Sequence, residues 1–331
     1  MKRGLIATLV VLVGLLAPSF DTTRSLGLAV TAAESAEPDV IPAVAPLVSA
    51  DPPGGVARAT MILIHGGGWA GHSALGQELL MKRPGDLLLK RGWRIVSIDY
   101  NEGAAGLGDV LNAVDAEVAR RTSNGPLCIY GESSGAHLAL VAASRLRAII
   151  DCVIGVGTPT DLNLYGAKGP VADAQIRVLE SRIRRFFGTT TAELAAWNPV
   201  SLAPSIDADV LLMREADDHL VSVDHSERFK AARPATRTVE LESGDPTDPS
   251  AAFLHGTVSD IGRAHYFSAI GSFVDRAVAG SDDQHREARA RAADTLPAPE
   301  SISTPIIWVH SIALSAARVR ALAGSIAPNA R

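Results

Sequence analysis

The chain has 331 residues, 47% hydrophobic and 20% charged, a balance that buries one large core or two small ones and excludes disorder along its whole length. Its formal net charge of -5, with no Lys/Arg cluster interleaved with aromatics, leaves no basic surface for a phosphate backbone, so no nucleic acid partner is expected.

Met1-Lys2-Arg3-Gly4 carries two positive charges into the apolar run Leu5 to Ala17, which is short for a bilayer span and reads as a secretory signal peptide. Small residues suited to cleavage recur between Ala17 and Ala36, so residues 1–33 are assigned to it approximately. The expected location is secreted or periplasmic, with no stable membrane span after signal removal. An uncleaved anchor is the competing reading, and the lack of a nearby cysteine disfavours a lipid anchor. Residues 34–58, rich in Ala, Pro, Glu and Val without a sustained period, read as a lead-in.

Ala59 to Ile64 reads as a strand, broken by the glycine loop His65-Gly66-Gly67-Gly68-Trp69. Gln77 to Lys90 has helical spacing, with a break or fresh start at Pro84-Gly85, and Arg94 to Tyr100 reads as a second buried strand. Asp109 to Arg121 places Val110, Leu111, Val114 and Val118 on one helical face. A third strand starts at Leu127 and runs into Gly131-Glu132-Ser133-Ser134-Gly135, followed by a mostly apolar helix, Ala136 to Arg145.

After another buried strand, Ala148 to Val156, the pattern changes over residues 157–204 to Gly, Pro and polar residues around one basic amphipathic helix, Ala172 to Phe187. This reads as a cap insertion, with Glu180, Arg182, Arg184 and Arg185 on a solvated face. The core pattern returns at Ala208 to Met213, a helix near Ser226 to Ala232, the strand Thr238 to Leu241, and a last helix from Ile261 to Val278. Alternating strands and helices define an α/β class with a mostly parallel central sheet, helices on both faces and a small helical cap. Residues 59–280 then form one domain, and residues 281–331 an appendage outside the core pattern.

Gly131, Ser133 and Gly135 fit a nucleophile elbow, a strained strand-to-helix turn that lifts a serine oxygen above the sheet. A helix-capping serine is the plainer reading, and the strand before, helix after and glycine loop upstream argue against it. A serine hydroxyl needs a histidine to take its proton and an acid to hold that histidine. Past the strand ending at Met213, Asp217 and Asp218 are adjacent; Asp218 is favoured as the acid because it opens an Asp-X-X-Val turn, whereas Asp217 suits a turn residue. His255, in a loop before the last helix, is favoured as the base over His265, which falls inside that helix; His219 belongs to the rim and His137 to the packing. Backbone N–H groups of Gly67, Gly68 and Ser134 are candidates for an oxyanion hole, with His65 shaping the loop. The two cysteines, Cys128 and Cys152, lie in core strands and either bridge or remain small buried thiols.

With His65 to Trp69, Gly131 to Gly135, Asp218 to Val221 and His255 in this order, the chain resembles the α/β-hydrolase superfamily. Within it the resemblance is to carboxylesterases and lipases of the hormone-sensitive-lipase-like type. Trp197-Asn198-Pro199 is similar to the family's usual approach to the strand before the acid, and the resemblance covers roughly Ala59 to Gly280. It implies hydrolysis of small-molecule acyl esters through an acyl-enzyme, with no cofactor and no metal. Ser134 replaces the family's usual alanine, and Glu242 to Ala252 is unusually rich in Asp, Pro and Ser. A peptidase or amidase on the same fold, and a non-catalytic binding protein that has lost a triad member, are the alternatives.

Overall fold

The computed structural model describes residues 48–120, 125–164 and 170–280, which all belong to the first of the chain's two compact units, Met1–Asp294. The expected signal peptide and the expected C-terminal appendage lie outside the described residues. Seven strands among them form one sheet in the order β1-β3-β2-β4-β5-β6-β7. They are β1 (Val48–Ala50), β2 (Ala59–Ile64), β3 (Trp93–Ile98), β4 (Leu127–Glu132), β5 (Cys152–Val156), β6 (Asp209–Glu215) and β7 (Arg237–Leu241). All neighbouring pairs are parallel except β1 with β3. Residues 34–58, expected as a lead-in alone, therefore contribute an antiparallel edge strand. Its three residues are too few to show a period.

The central strands β2, β3, β4 and β5 are mostly apolar and buried at every position because both their faces are covered, whereas the edge strand β7 is largely exposed. One face carries α1 (Ala74–Leu80), α2 (Asp86–Lys90) and the last helix, α9 (Asp260–Ala279). The chain does not break at Pro84: α1 passes through a π-helical turn, Met81–Gly85, into α2, and the Ser73 side chain caps its start by accepting from Gly76 N–H.

The other face carries α3 (Ala105–Arg120) and α4 (Ser134–Arg145). α4 is buried from Ser134 to Ser144, since it lies between the sheet and the insertion. The insertion supplies α5 (Pro170–Phe187), α6 (Thr191–Ala195) and α7 (Pro199–Leu202), and α8 (Val223–Ala232) follows β6. Phe187 at the end of α5 packs against Trp69, His137 and Trp197 with ring centroids 5.5, 5.3 and 5.2 Å away, which fixes the insertion to the glycine loop and to α4.

Cys128 on β4 and Cys152 on β5 are register partners with Cα atoms 4.6 Å apart, and a disulfide joins them. No helix among the described residues is long and apolar enough to cross a membrane.

Candidate active site

β4 runs fully buried to Glu132, and the chain reverses at a single residue: Ser133 takes φ 50° and ψ -120° before α4 begins at Ser134. Such a conformation costs a non-glycine residue about 1–3 kcal/mol. The turn closes because its flanking residues lack a Cβ, which at Gly131 would strike Ala136 N and at Gly135 Ile64 O.

The half-buried Ser133 Oγ lies 3.0 Å from His255 Nε2, and His255 Nδ1 lies 3.0 Å from Asp218 Oδ2. With the Asp218 carboxylate accepting, Nδ1 carries the ring proton and Nε2 is left to accept from the serine hydroxyl. Asp218 is fixed in turn by the N–H groups of Leu220 and Val221, which donate to its Oδ1 at 2.9 and 2.8 Å. Burial opposes charge on both partners. Their mutual attraction outweighs it, raising the His255 pKa and lowering that of Asp218, whose carboxylate the two N–H bonds also favour.

Asp217, the neighbouring carboxylate, accepts instead from Thr257 N–H and hydroxyl, which ties down the loop carrying His255. His265 is exposed on α9. His219 faces the insertion, with Nε2 3.2 Å from Gln175 Oε1. His137 is packed inside α4, accepting from Trp69 Nε1–H through Nδ1 at 3.1 Å and donating through Nε2 to Trp197 O at 2.8 Å. The structure thus brings Ser133, Asp218 and His255 together and leaves the other histidines out.

The glycine loop lies against the serine: a Cβ at Gly66 would come within 3.1 Å of Ser133 Cβ. Gly67 and Gly68 have φ 129° and 62°, in the region that favours glycine. Their N–H groups have no acceptor among the described residues. His65 holds the loop from below, with Nδ1 2.7 Å from Gly66 O and Nε2 3.0 Å from Asp99 Oδ1. Because a peptide unit is planar and trans, holding the Gly66 carbonyl on the His65 side turns Gly67 N–H to the other. Asp99 also accepts from His72 and from the N–H groups of Ser73 and Tyr100. Burial alone would raise its pKa, but the His65, His72 and Ser73 bonds hold it well below the usual carboxylate range. Ser134 opens α4, so its N–H is among the unpaired donors at the positive helix end; its Oγ is 3.1 Å from Tyr100 OH.

Two residues escaped the sequence reading. Glu215, the buried last residue of β6, has its carboxyl within 4.8 Å of the facing atoms of Asp218 and His255. Burial and the Asp218 charge push its pKa up to about 7. The available signal was a second charged residue directly after Arg214, past the apolar run Val210 to Met213. These three groups are also spaced closely enough to share a cation, but both His255 nitrogens already face Ser133 and Asp218. Arg182 is the second. It was expected on a solvated face of α5, yet its Nη1 donates to Gly67 O at 3.1 Å and Gly68 O at 3.2 Å. Alternating charges along a helix do not disclose a carbonyl pair brought up by a distant loop.

Fold and site together define an α/β-hydrolase, in agreement with the sequence resemblance. The BD-FAE family profile matches residues 52–232, over half of the chain, and the chain belongs to the BD-FAE family. No curated protein matches it at a significant level. Among solved structures it is similar to a truncated carbohydrate esterase from gut microbiota, with TM-score 0.53 and 17% identity over 70% of this chain and 90% of that one. It is also similar to an esterase from Pyrobaculum calidifontis, with TM-score 0.52 and 18% identity over 71% of this chain and 87% of that one. A puromycin-hydrolyzing peptidase from Mycobacterium tuberculosis gives TM-score 0.53 and 17% identity over 70% of this chain and 37% of that one. At these identities the likeness is one of fold.

Proposed function

We propose that the protein is an exported serine hydrolase that cleaves small-molecule carboxylic esters through an acyl-enzyme. The observation that carries this reading is the unbroken line Asp218, His255, Ser133, with both links at 3.0 Å. Ser133 Oγ attacks the acyl carbon as His255 Nε2 takes its proton; His255 then gives that proton to the leaving alkoxide, and the alcohol departs. In the second half His255 takes a proton from water, the hydroxide attacks the Ser133 ester, and the protonated His255 returns the serine oxygen to the hydroxyl form. Asp218 orients the ring and stabilises the imidazolium. The N–H groups of Gly67, Gly68 and Ser134 hold the oxyanion of each tetrahedral intermediate. Export is supported by the Cys128–Cys152 disulfide, which suits an oxidising compartment.

The test is turnover of p-nitrophenyl acetate beside a matched anilide. Ser133→Ala, Asp218→Asn and His255→Ala are each expected to lower kcat by about a thousandfold or more, with His265→Ala unchanged. Faster anilide than ester turnover would favour an amidase or peptidase, and an inert wild type would favour a binding protein. For export, N-terminal sequencing of protein recovered outside the cytoplasm should find a start between Ala17 and Ala36; an intact Met1 contradicts it.

A further inference from the structure

We propose that Arg182 is a positioning residue for the oxyanion loop, contributed by the insertion; the inference rests on the serine hydrolase reading above. The two glycine N–H groups assigned to the oxyanion belong to successive peptide units. The carbonyl of the first unit, Gly66 O, is held by His65 from within the loop. The carbonyl of the second, Gly67 O, is held by Arg182 from α5, whose Nη1 also reaches Gly68 O. In a planar trans peptide the N–H points opposite to the carbonyl, so Arg182 turns Gly68 N–H away from the insertion just as His65 turns Gly67 N–H. Glycine peptides at φ 129° and 62° have many other conformations open to them, and nothing else among the described residues holds the second unit except Ala70 N–H, at 3.3 Å from Gly67 O.

Arg182 can do this because α5 is itself held along its length. Ile176 packs with Leu220 and Val221, just past Asp218, and Gln175 accepts from His219. Two helical turns further on, Arg182 meets the glycine loop, and Phe187 is clamped among Trp69, His137 and Trp197. One helix therefore braces the loop bearing the acid and the loop bearing the oxyanion donors. Burial lowers the Arg182 pKa, but a guanidinium stays charged in a protein, and a charged donor makes a stronger bond to a carbonyl.

The experiment compares wild type, Arg182→Ala, Arg182→Lys and the exposed control Arg184→Ala. Three readouts are kept: p-nitrophenyl acetate kinetics, thermal midpoint, and inhibition by a trifluoromethyl ketone. With that ketone Ser133 Oγ bonds to the carbonyl carbon, its proton passes to His255, and the carbonyl oxygen becomes the bound oxyanion. Arg182→Ala is expected to lower kcat about tenfold to a hundredfold, with KM within about twofold, and to weaken the ketone by the same factor as kcat. Arg182→Lys should recover part of both, and Arg184→Ala neither loses nor gains. A purely structural role would lower the thermal midpoint and leave ketone affinity intact, and that result overturns the inference, as does an unchanged Arg182→Ala. If wild type turns over ester, an unchanged Arg182→Ala sinks this inference alone; if wild type neither turns over nor binds the ketone, the hydrolase reading fails and this falls with it.

Discussion

Glu215 at the end of β6 and Asp218 three residues beyond it have carboxyl oxygens within 4.8 Å of each other, yet their pKa values are driven in opposite directions. Burial and the Asp218 charge push Glu215 up to about 7, whereas His255 and two backbone N–H groups hold Asp218 below its usual range. Leu254 N–H donates to Glu215 Oε1 at 3.3 Å, whereas Oε2 has no hydrogen-bond partner among the described residues, so the ionised form is only partly compensated.

Glu215→Gln should therefore shift the pH dependence of both activity and stability. An ionised Glu215 favours the imidazolium, so removing it lowers the His255 pKa and moves the acid limb of kcat/KM to lower pH. For stability, the folded pKa of about 7 lies above the ordinary 4.5. Wild type thus loses stability as pH rises from 4.5 through 7, and the variant does not. Urea midpoints at pH 5 and pH 8 should show the variant gaining relative to wild type at the higher pH. An equal difference at both values contradicts the assignment.

Acid should destabilise the fold through two buried neutral histidines. His137 accepts from Trp69 and His225 Nδ1 accepts from the N–H groups of Thr160 and Asp161, and burial pulls both pKa values to about 4 from 6.5. Since the unfolded forms protonate first, stability falls as pH drops from 6.5 toward 4, by up to about 1.4 kcal/mol per pH unit for each histidine. His137→Gln, able to accept from Trp69 and donate to Trp197 O, should remove one of these slopes when urea unfolding is followed between pH 6.5 and 4.5. An unchanged slope would show that His137 is not held neutral.

The strand-to-strand disulfide ties the elbow's strand to its neighbour. Its partners are 24 residues apart in sequence, so the chain-entropy account gives about 3.5 kcal/mol. Cys128→Ala/Cys152→Ala should lower the urea midpoint accordingly and keep kcat within about twofold, because the β4–β5 ladder and the elbow contacts remain. Insensitivity of the wild-type midpoint to reductant would oppose this.

Most of the fold was legible because parallel strands covered on both faces have to be continuous apolar runs, and each ends on a residue that breaks the pattern. Gly67, Ser133, Asp218 and His255 all follow such strand ends, which is why their order could be read. Asp218 stood apart from Asp217 through its turn, and the structure adds a reason of its own: Asp217 is spent on Thr257. What could not be read depends on approach through space. Glu215 lies two residues past the expected strand end at Met213, and only folding sets it beside Asp218 and His255. Arg182 matched a solvated face until the glycine loop supplied two carbonyls. At Pro84 the missing N–H suggested a break, and a π turn absorbs it instead.

In the proposed mechanism Ser133 forms the acyl-enzyme. The most direct measurement is intact mass followed by peptide mapping after exposure to a fluorophosphonate, for wild type and Ser133→Ala. Fluoride leaves as Ser133 Oγ bonds to phosphorus, so one adduct per chain is predicted, mapped to the peptide containing Gly131 to Gly135 and absent from the variant. An unmodified wild type, or an adduct that persists in Ser133→Ala, would contradict the account.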